Sequence, residues 1–518
     1  MQTILGRLDG FLYPFYCQFA TPNPVQPLPP PRDPLCGLPL ELWLEIFQLA
    51  TYSSRSTSIK PTDPFATHRA LTRNIINTMN TPALALQTKL ALVAVCKAWR
   101  SLGTPILYCH IVVRSPMRAA LILRTLEDTK RDPLSGPNPA SNPSLGHGRW
   151  TRHIEIFTHS RGCTSAKYLQ TVFSILQHCP YLRILSGTWN HTLPPTFLDA
   201  VSTLYGPSLE GLYWNETTDK LGRQQYRFTA SATLEFLASF KSLLVLDLRH
   251  FKLKNEPDIN EASMRPILPS VQHLIISTNP WSVATAACLI LPGLRALTVI
   301  TGSRLPELTR EDRLHRLVKL HGSSLSTVDI LSPTPDESAR MAKRLQPSLF
   351  LQPSACPNLT AISFPACSIP FSEGGHPSLR RIGLHGAKSE SLYPDRAGDA
   401  KDHLKAILSS GCYPSLELVQ TVGFYVETES DVLIKDIFIW WTEQFAKEGV
   451  DLLDGEGVLW EYEELDPSAA DVGKLEEDSK ERECTSLNSL QNNGAPAFLI
   501  EGNRREVVKK QKIEDVSS

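Results

Sequence analysis

The sequence lacks the short motifs by which most enzymes are recognised. Its 518 residues include no G-x-x-x-x-G-K-[ST] phosphate loop, no G-x-G-x-x-G turn after a strand, no H-E-x-x-H and no G-x-S-x-G. The 14 histidines are dispersed along the chain and show no spacing typical of metal ligands. We therefore expect no enzyme activity and no cofactor or metal ion.

Paired cysteines, excess charge and long hydrophobic runs are also missing. The 11 cysteines contain no C-x-x-C pair, which favours small buried residues in a reducing compartment over a disulfide framework or a zinc site. A formal net charge of -1 gives no electrostatic reason to expect a nucleic-acid partner. No run is long enough to span a bilayer, and Arg7 and Asp9 interrupt the apolar N-terminal stretch. These absences predict a soluble protein of the cytoplasm, the nucleus or both, without membrane contact.

An apolar helix is predicted near the start of the chain, in the stretch CGLPLELWLEIFQLA that begins at residue 36. Pro39 suits its first turn, where the missing N–H would have no partner. Leu42, Ile46 and Leu49 recur at helical spacing, with Trp43 and Phe47 beside them. The helix must therefore bury one broad face.

A second apolar helix is predicted to include Leu90 to Trp99. Gly103 and Pro105, which follow, are expected to end it. The ordered pair, LPLELWLEIF followed by LVAVCKAWRSLGTPILY, resembles the F-box in the form common in fungal F-box proteins. The matching residues are Leu38, Pro39, Glu41, Ile46, Phe47, Val93, Val95, Cys96, Lys97, Trp99, Arg100, Leu107 and Tyr108.

The resemblance covers residues 35–113 and departs from the family at residues 51–86, which are much longer than the usual connection. We interpret this insertion as a surface loop, because extra loop length costs little closure entropy. The alternative is that it distorts the packing of the helices. On either side we place a flexible, proline-rich leader at residues 1–34 and a helix with a linker at residues 114–148, which forms the boundary to the next unit.

Nine segments after that boundary share one pattern, a turn followed by apolar residues spaced as L-x-x-L-x-L, as in Leu243, Leu246 and Leu248. The last two apolar residues of each segment are two positions apart and so face the same side of a strand. The pattern resembles the leucine-rich repeat and predicts an irregular solenoid of alternating strands and helices over residues 149–450. The segments are CPYLRILSG, GPSLEGLYW, FKSLLVLDL, LPSVQHLII, LPGLRALTV, GSSLSTVDI, CPNLTAISF, HPSLRRIGL and YPSLELVQT.

The repeats depart from the family pattern in two ways. Most lack the Asn or Cys expected after the strand, and the third apolar position is Gly187 in the first segment and Thr421 in the last. A non-repetitive α/β domain therefore remains the alternative. Between the buried positions we expect an exposed face of mixed charge, with Asp247, Arg249, His273, Thr298 and Asp329.

The C-terminal part changes in composition. Residues 430–449 predict an amphipathic helix that caps the repeats and ends at Gly449. Residues 451–518 are predicted to be an acidic, mostly disordered tail. The cluster RREVVKKQK suggests either a nuclear-import patch or a solvated end.

The whole pattern predicts an α/β protein: a small all-α, F-box-like unit, then a leucine-rich-repeat-like solenoid and a disordered C-terminal tail. F-box proteins of this layout are substrate receptors of SCF-type cullin–RING ubiquitin ligases. The resemblance implies a Skp-family adaptor and cullin complex as partners and an unknown protein as substrate. Alternatives are a repeat scaffold with a vestigial F-box and an enzyme on an unfamiliar α/β domain. The adaptor-binding residues carried over from the family are Leu38, Pro39, Leu42, Ile46, Phe47, Val95, Cys96 and Trp99.

Overall fold

A computed structural model describes fourteen parts of the chain. They are residues 38–51, 59, 63–65, 82–131, 146–191, 193–216, 232–251, 265–301, 310–332, 346–369, 375–409, 413–426, 432–462 and 508–512. The predicted leader, most of the insertion and most of the tail lie outside these residues.

The described helices begin with three that are consecutive in the chain and precede the sheet. The others lie between strands. The helices are α1 (Leu40–Ala50), α2 (Pro82–Val95), α3 (Lys97–Cys109), α4 (Pro116–Arg131), α5 (Ala166–Gln177), α6 (Pro195–Tyr205), α7 (Leu234–Ala238), α8 (Pro280–Ala287), α9 (Arg310–His321), α10 (Ser389–Leu392), α11 (Asp399–Ser409) and α12 (Val432–Lys447).

One mixed sheet contains every described strand in chain order. Neighbours from the first strand to the twelfth are parallel, and the last two strands are antiparallel to their neighbours. The strands are β1 (His110–Val113), β2 (His153–Phe157), β3 (Ile184–Trp189), β4 (Gly211–Glu216), β5 (Val245–Asp247), β6 (His273–Ser277), β7 (Ala296–Ile300), β8 (Thr327–Leu331), β9 (Ala361–Pro365), β10 (Arg381–His385), β11 (Leu418–Gln420), β12 (Asp451–Leu453), β13 (Val458–Tyr462) and β14 (Val508–Lys512).

The nine repeated segments supply strands β3 to β11, one strand each. Their apolar triplets point into a single core, and Leu243, Leu246 and Leu248 are fully buried there. Parallel neighbours need a crossover between them, and the helices in those crossovers cover the core side of the sheet. The chain is therefore a mixed α/β protein with the one-strand-per-repeat order of a solenoid-like fold.

A tryptophan fills the place of the missing third apolar residue in the first segment. A Cβ atom on Gly187 would lie 2.4 Å from the Trp189 Nε1 atom, so the indole occupies the space of the absent leucine side chain. Trp189 is fully buried and packs against Trp214 of the next strand at 5.2 Å between ring centroids. The departure from the repeat pattern is therefore compensated within the same strand.

Hydroxyl groups replace the expected Asn ladder after several strands. Thr158 Oγ1 donates to the Thr188 carbonyl at 3.0 Å, and Thr301 and Thr421 do the same to the following strand at 3.2 and 3.3 Å. These bonds satisfy backbone groups at the strand ends without an Asn.

The predicted boundary at residues 114–148 does not separate two cores. Strand β1 lies in the segment assigned to the helical unit, yet it pairs with β2 beyond the boundary. Ile111, Val113 and Leu126 belong to the same core as the repeats. The apolar alternation of HIVV is only four residues long, too short to predict a strand after a helix.

The second predicted helix also differs from the expectation. It starts at Pro82, inside the predicted insertion, and breaks at Cys96; the next helix then continues through Gly103 and Pro105 to Cys109. Pro105 is tolerated in this helix, although proline usually breaks or kinks one.

The acidic, mostly disordered tail was predicted to begin at residue 451, which is too early. Residues 451–462 form strands β12 and β13, joined by a tight turn around Asp454. The Asp454 carboxylate accepts hydrogen bonds from the Val458 N–H at 2.9 Å and from Trp460 Nε1 at 2.9 Å, which holds the hairpin closed. The basic stretch at residues 508–512 pairs with β13 as an edge strand. The prediction of a tail from residue 451 rested on acidic composition. It did not take into account that Val458 and Trp460 are buried and order the hairpin.

We predict that buried His403 makes folding stability depend on pH. Its Nε2 atom lies 3.1 Å from the Ser368 carbonyl oxygen, and burial lowers its pKa below the ordinary 6.5, against the opposing effects of Ser368, Asp399 and Asp402. The unfolded chain therefore takes up this proton at a higher pH than the folded chain. The contribution of His403 is complete above pH 6.5 and is lost as the pH falls below that value.

The measurement is urea unfolding at pH 7.5 and pH 5.5. The wild type should lose more stability between the two than His403→Gln, which removes the titrating group. His159→Gln, at an exposed histidine, is the control and should keep the wild-type dependence. Equal losses in the wild type and His403→Gln would contradict the assignment.

Candidate protein-binding surfaces

Helix α1 is shaped by its two ends. The Pro39 carbonyl accepts the N–H groups of Leu42 at 3.1 Å and Trp43 at 3.3 Å, which starts the helix. Glu41 lies in the first turn, where the helix dipole favours negative charge. At the other end Thr51 Oγ1 donates to the Phe47 carbonyl at 2.7 Å. The helix is therefore only about three turns long, too short to be stable without tertiary packing.

Three aromatic rings supply that packing. The Phe47 ring lies 5.9 Å from the Trp43 ring and 4.9 Å from the Trp99 ring, and the two indoles are 5.2 Å apart. Phe47 is 1% exposed. Aromatic pairs of this kind contribute about 0.5–1.5 kcal/mol each beyond their buried area. This aromatic cluster (Trp43, Phe47 and Trp99) joins α1 to α3.

Cys96 sets the angle between α2 and α3. Its backbone is extended (φ -156°, ψ 172°), and its Sγ atom accepts the Trp99 N–H at 3.4 Å as an N-cap. Arg100 Nε donates to the Val93 carbonyl at 3.2 Å, so the end of α2 is capped from the start of α3. This one-residue break turns the chain and brings Trp99 to α1.

The opposite side of α1 has no cover among the described residues. On this side Leu42 and Ile46 are each 43% exposed and Leu49 is 69% exposed, and Val95 at the end of α2 is 60% exposed. Leu42, Ile46 and Leu49 follow one another at helical spacing on this side. We call these residues, together with the exposed Leu38 just before the helix, the apolar row: Leu38, Leu42, Ile46, Leu49 and Val95.

The structure divides the eight residues carried over from the F-box family into two groups. Leu38, Pro39, Leu42, Ile46 and Val95 are exposed. Phe47, Cys96 and Trp99 instead hold the three helices together, so they support the surface without forming it. Leu49 was not assigned to the site by the sequence, although it is 69% exposed and belongs to the apolar row. Burial separates the groups, and burial depends on which helix faces meet.

The helical unit joins the sheet without a linker. Helix α3 ends at Cys109 and β1 begins at His110. The Tyr108 ring lies 4.7 Å from the His147 ring, which lies 5.2 Å from the Trp150 ring. Burial, together with the nearby Arg149 charge, lowers the pKa of His147, and burial raises the pKa of Tyr108. These rings pack the helical unit against the start of the sheet.

The second surface is the side of the sheet opposite the core, which we call the front face. The prediction that its polar side chains are exposed is wrong for four residues, since Asp247, His273, Thr298 and Asp329 are at most 5% exposed. Two of them bond across neighbouring strands, where His273 Nε2 and Thr298 Oγ1 are 2.9 Å apart. Arg249 Nη2 donates to Asp247 Oδ2 at 2.6 Å and remains partly exposed.

A buried polar cluster on the front face joins three strands. Ser363 Oγ donates to Asp329 Oδ1 at 2.6 Å, and His385 Nε2 lies 3.1 Å from the same oxygen. A carboxylate oxygen only accepts, so His385 Nε2 carries the proton in this contact. On β4, burial and the Asp247 charge raise the pKa of Tyr213 to about 12. These residues act as structural hydrogen-bond partners within the sheet.

Comparison with known proteins gives distant structural likeness and no match in sequence. No family model matches the chain. No curated protein matches it. Among solved structures it is similar to the crystal structure of the Rad7 and Elc1 complex in yeast, with 11% identity, a TM-score of 0.24, and coverage of 60% of this chain and 76% of that one. A likeness at this level carries no functional conclusion.

No helix in the described parts of the chain combines the length and apolar character needed to cross a membrane.

Proposed function

We propose that the protein is a non-enzymatic substrate receptor of an SCF-type cullin–RING ubiquitin ligase. In this proposal the apolar row binds a Skp-family adaptor, and the front face of the sheet holds a protein target. The role of the protein is positional, because it brings a target lysine close to the ubiquitin-charged enzyme and raises its effective concentration.

The observation that carries the proposal is the two-sided character of α1. Packing within the helical unit explains the aromatic cluster, in which Phe47 is buried between half-buried Trp43 and Trp99, and leaves Leu42 and Ile46 each 43% exposed. Contiguous apolar side chains in water are unfavourable, and such patches mark protein interaction sites. The row lies on the segment that resembles the F-box, where the family binds its adaptor.

The direct join between α3 and β1 supports the same function. A receptor must hold its target at a defined distance from the adaptor, and a stiff connection limits the volume that the target explores. The aromatic contacts of Tyr108 and His147 stiffen this junction. A flexible linker between two separate units, as the sequence predicted at residues 114–148, would not fix the distance between adaptor and target.

We predict that Leu42→Glu combined with Ile46→Glu weakens adaptor binding at least about 100-fold. Burying a Leu or Ile side chain is worth about 1.5–3 kcal/mol, and a tenfold change in affinity corresponds to about 1.4 kcal/mol. Both side chains are already exposed, so the fold should survive. The measurement is calorimetric titration of the full-length protein with a Skp-family adaptor, with circular dichroism as the check on folding.

Gln48→Glu is the matched control, since it adds a charge to an exposed polar position of the same helix. It should bind like the wild type. Failure of the wild type to bind would reject the ligase proposal and leave a repeat scaffold with a vestigial F-box.

A further inference from the structure

Part of the long insertion lies on the front face of the sheet. Ile59 packs on Ile184 and Val245 of β3 and β5, with Tyr213 and Ile275 beside it. Asp63–Phe65 lie further along the sheet and contact β10. We call the described residues of this segment, Ile59 and Asp63–Phe65, the strap. The strap contacts side chains at the first positions of the strands. Ile59 and Phe65 are buried there, at 7% and 5% exposed.

The strap makes ligand-like contacts with one arginine. Asp63 Oδ2 accepts hydrogen bonds from Arg381 Nη1 and Nη2, each at 3.4 Å. The Arg381 guanidinium carbon lies 4.1 Å from the centroid of the Phe65 ring. One guanidinium therefore binds both a carboxylate and an aromatic face, a combination for which its planar charge is suited.

The strap presents these two groups from a tight turn. The Phe65 N–H donates to Asp63 Oδ1 at 3.0 Å, so one carboxylate oxygen closes the turn and the other accepts from Arg381. Asp and Asn side chains close such turns on the backbone two residues later, and Asp also supplies the negative charge that pairs with Arg381. Pro64 between them is buried and fixes the backbone.

The sheet is shaped to receive the aromatic ring. A Cβ atom on Gly383 would lie 3.2 Å from Phe65 Cε1, so any larger residue would crowd the ring. Beside the turn is an open pocket of about 290 Å³, lined in part by Thr327, Thr360 and Glu417. The pocket leaves space for a longer segment to continue past the strap.

We propose that this part of the front face is a docking site for protein segments with an Asp-Pro-aromatic turn, and that the strap occupies it as an internal ligand. This inference rests on the proposed role of the front face in holding a target. A target with the same turn binds by displacing the strap. A tethered segment has an effective concentration of about millimolar, so free ligands compete poorly until the strap is weakened.

The test is fluorescence polarisation with a labelled peptide, IKPTDPFAT, which copies residues 59–67. The full-length strap variant Asp63→Ala with Phe65→Ala should bind the peptide at least about tenfold more tightly than the wild type. Adding Arg381→Ala should abolish this binding. Adding Arg380→Ala should not, because Arg380 bonds to Glu417 at 3.2 Å and, among the described residues, forms no hydrogen bond or ion pair with the strap. A peptide with Ala in place of its Phe should bind none of the proteins.

Two results would overturn the inference. One is equal affinity of the peptide for the wild type and the strap variant, and the other is an equal loss from Arg380→Ala and Arg381→Ala. A second measurement needs no strap variant. Excess peptide should speed hydrogen exchange of the strap in the wild type, and unchanged exchange counts against displacement.

Adaptor binding by the same proteins separates this inference from the proposed function. The apolar row is distinct from the strap, so the strap and Arg381 variants should keep their adaptor affinity. Adaptor binding without peptide binding would reject the docking site alone. Peptide binding without adaptor binding would reject the ligase proposal and keep the docking site.

Discussion

Replacing Phe47 with alanine should destabilise the helical unit by about 3–5 kcal/mol, the usual range for truncating a fully buried aromatic side chain. Phe47 is 1% exposed and sits between the rings of Trp43 and Trp99. Its removal takes away the ring that packs against both indoles and leaves a cavity beside them. Because α1 is short, it should detach from α3 before the sheet unfolds.

The neighbouring residue provides the sharpest comparison. Ile46 is 43% exposed, so Ile46→Ala should change stability by less than about 1 kcal/mol while lowering adaptor affinity. Hydrogen exchange measured by mass spectrometry would report α1 and α3 directly. Fast exchange in Phe47→Ala and wild-type exchange in Ile46→Ala are expected. A stability loss of similar size in both variants would show that the apolar row is part of the core.

Replacing Asp329 with alanine should destabilise the sheet by about 3–5 kcal/mol. Removing one partner of a buried polar group leaves the other desolvated without compensation. Ser363 and His385 both bond to Asp329 Oδ1, at 2.6 and 3.1 Å, so one substitution affects β8, β9 and β10 together. Urea unfolding followed by circular dichroism measures the loss.

Asp329→Asn should be milder, since its amide oxygen can still accept from Ser363 Oγ. Asp451→Ala, at an exposed position on β12, is the control and should stay within about 0.5 kcal/mol of the wild type. A small effect of Asp329→Ala would mean that water replaces the carboxylate and that the front face is more open than its burial indicates.

The repeats were predictable from sequence because their signal is local. A turn and two apolar residues at i and i+2 specify a strand whatever its neighbours are, and all nine segments are strands. The strands β1, β2 and β12 lack this turn-and-triplet signature. They are strands because their neighbours offer unpaired backbone edges, which is a property of the assembled sheet.

The candidate site was predictable only as a set of residues. Helical spacing placed Leu42, Ile46 and Phe47 on one short helix and could not show which side of that helix is buried. The break at Cys96 decides this, since it turns α3 so that Trp99 meets Phe47 and leaves Val95 outside. Likewise, alternation put Asp329 on the front face, and its burial comes from partners 34 and 56 residues away.

The contact between the strap and β10 has a consequence for the order of folding. Each strand pairs with the next one along the chain, so the sheet can grow by adding repeats as synthesis proceeds. The Asp63–Arg381 contact instead joins residues that are 318 positions apart. It cannot form until the tenth strand has been made, and closing so long a loop is entropically unfavourable before the intervening repeats are in place. The nascent chain therefore has an uncovered front face near Arg381 until late in folding, and attachment of the strap there marks a sheet that is complete through β10.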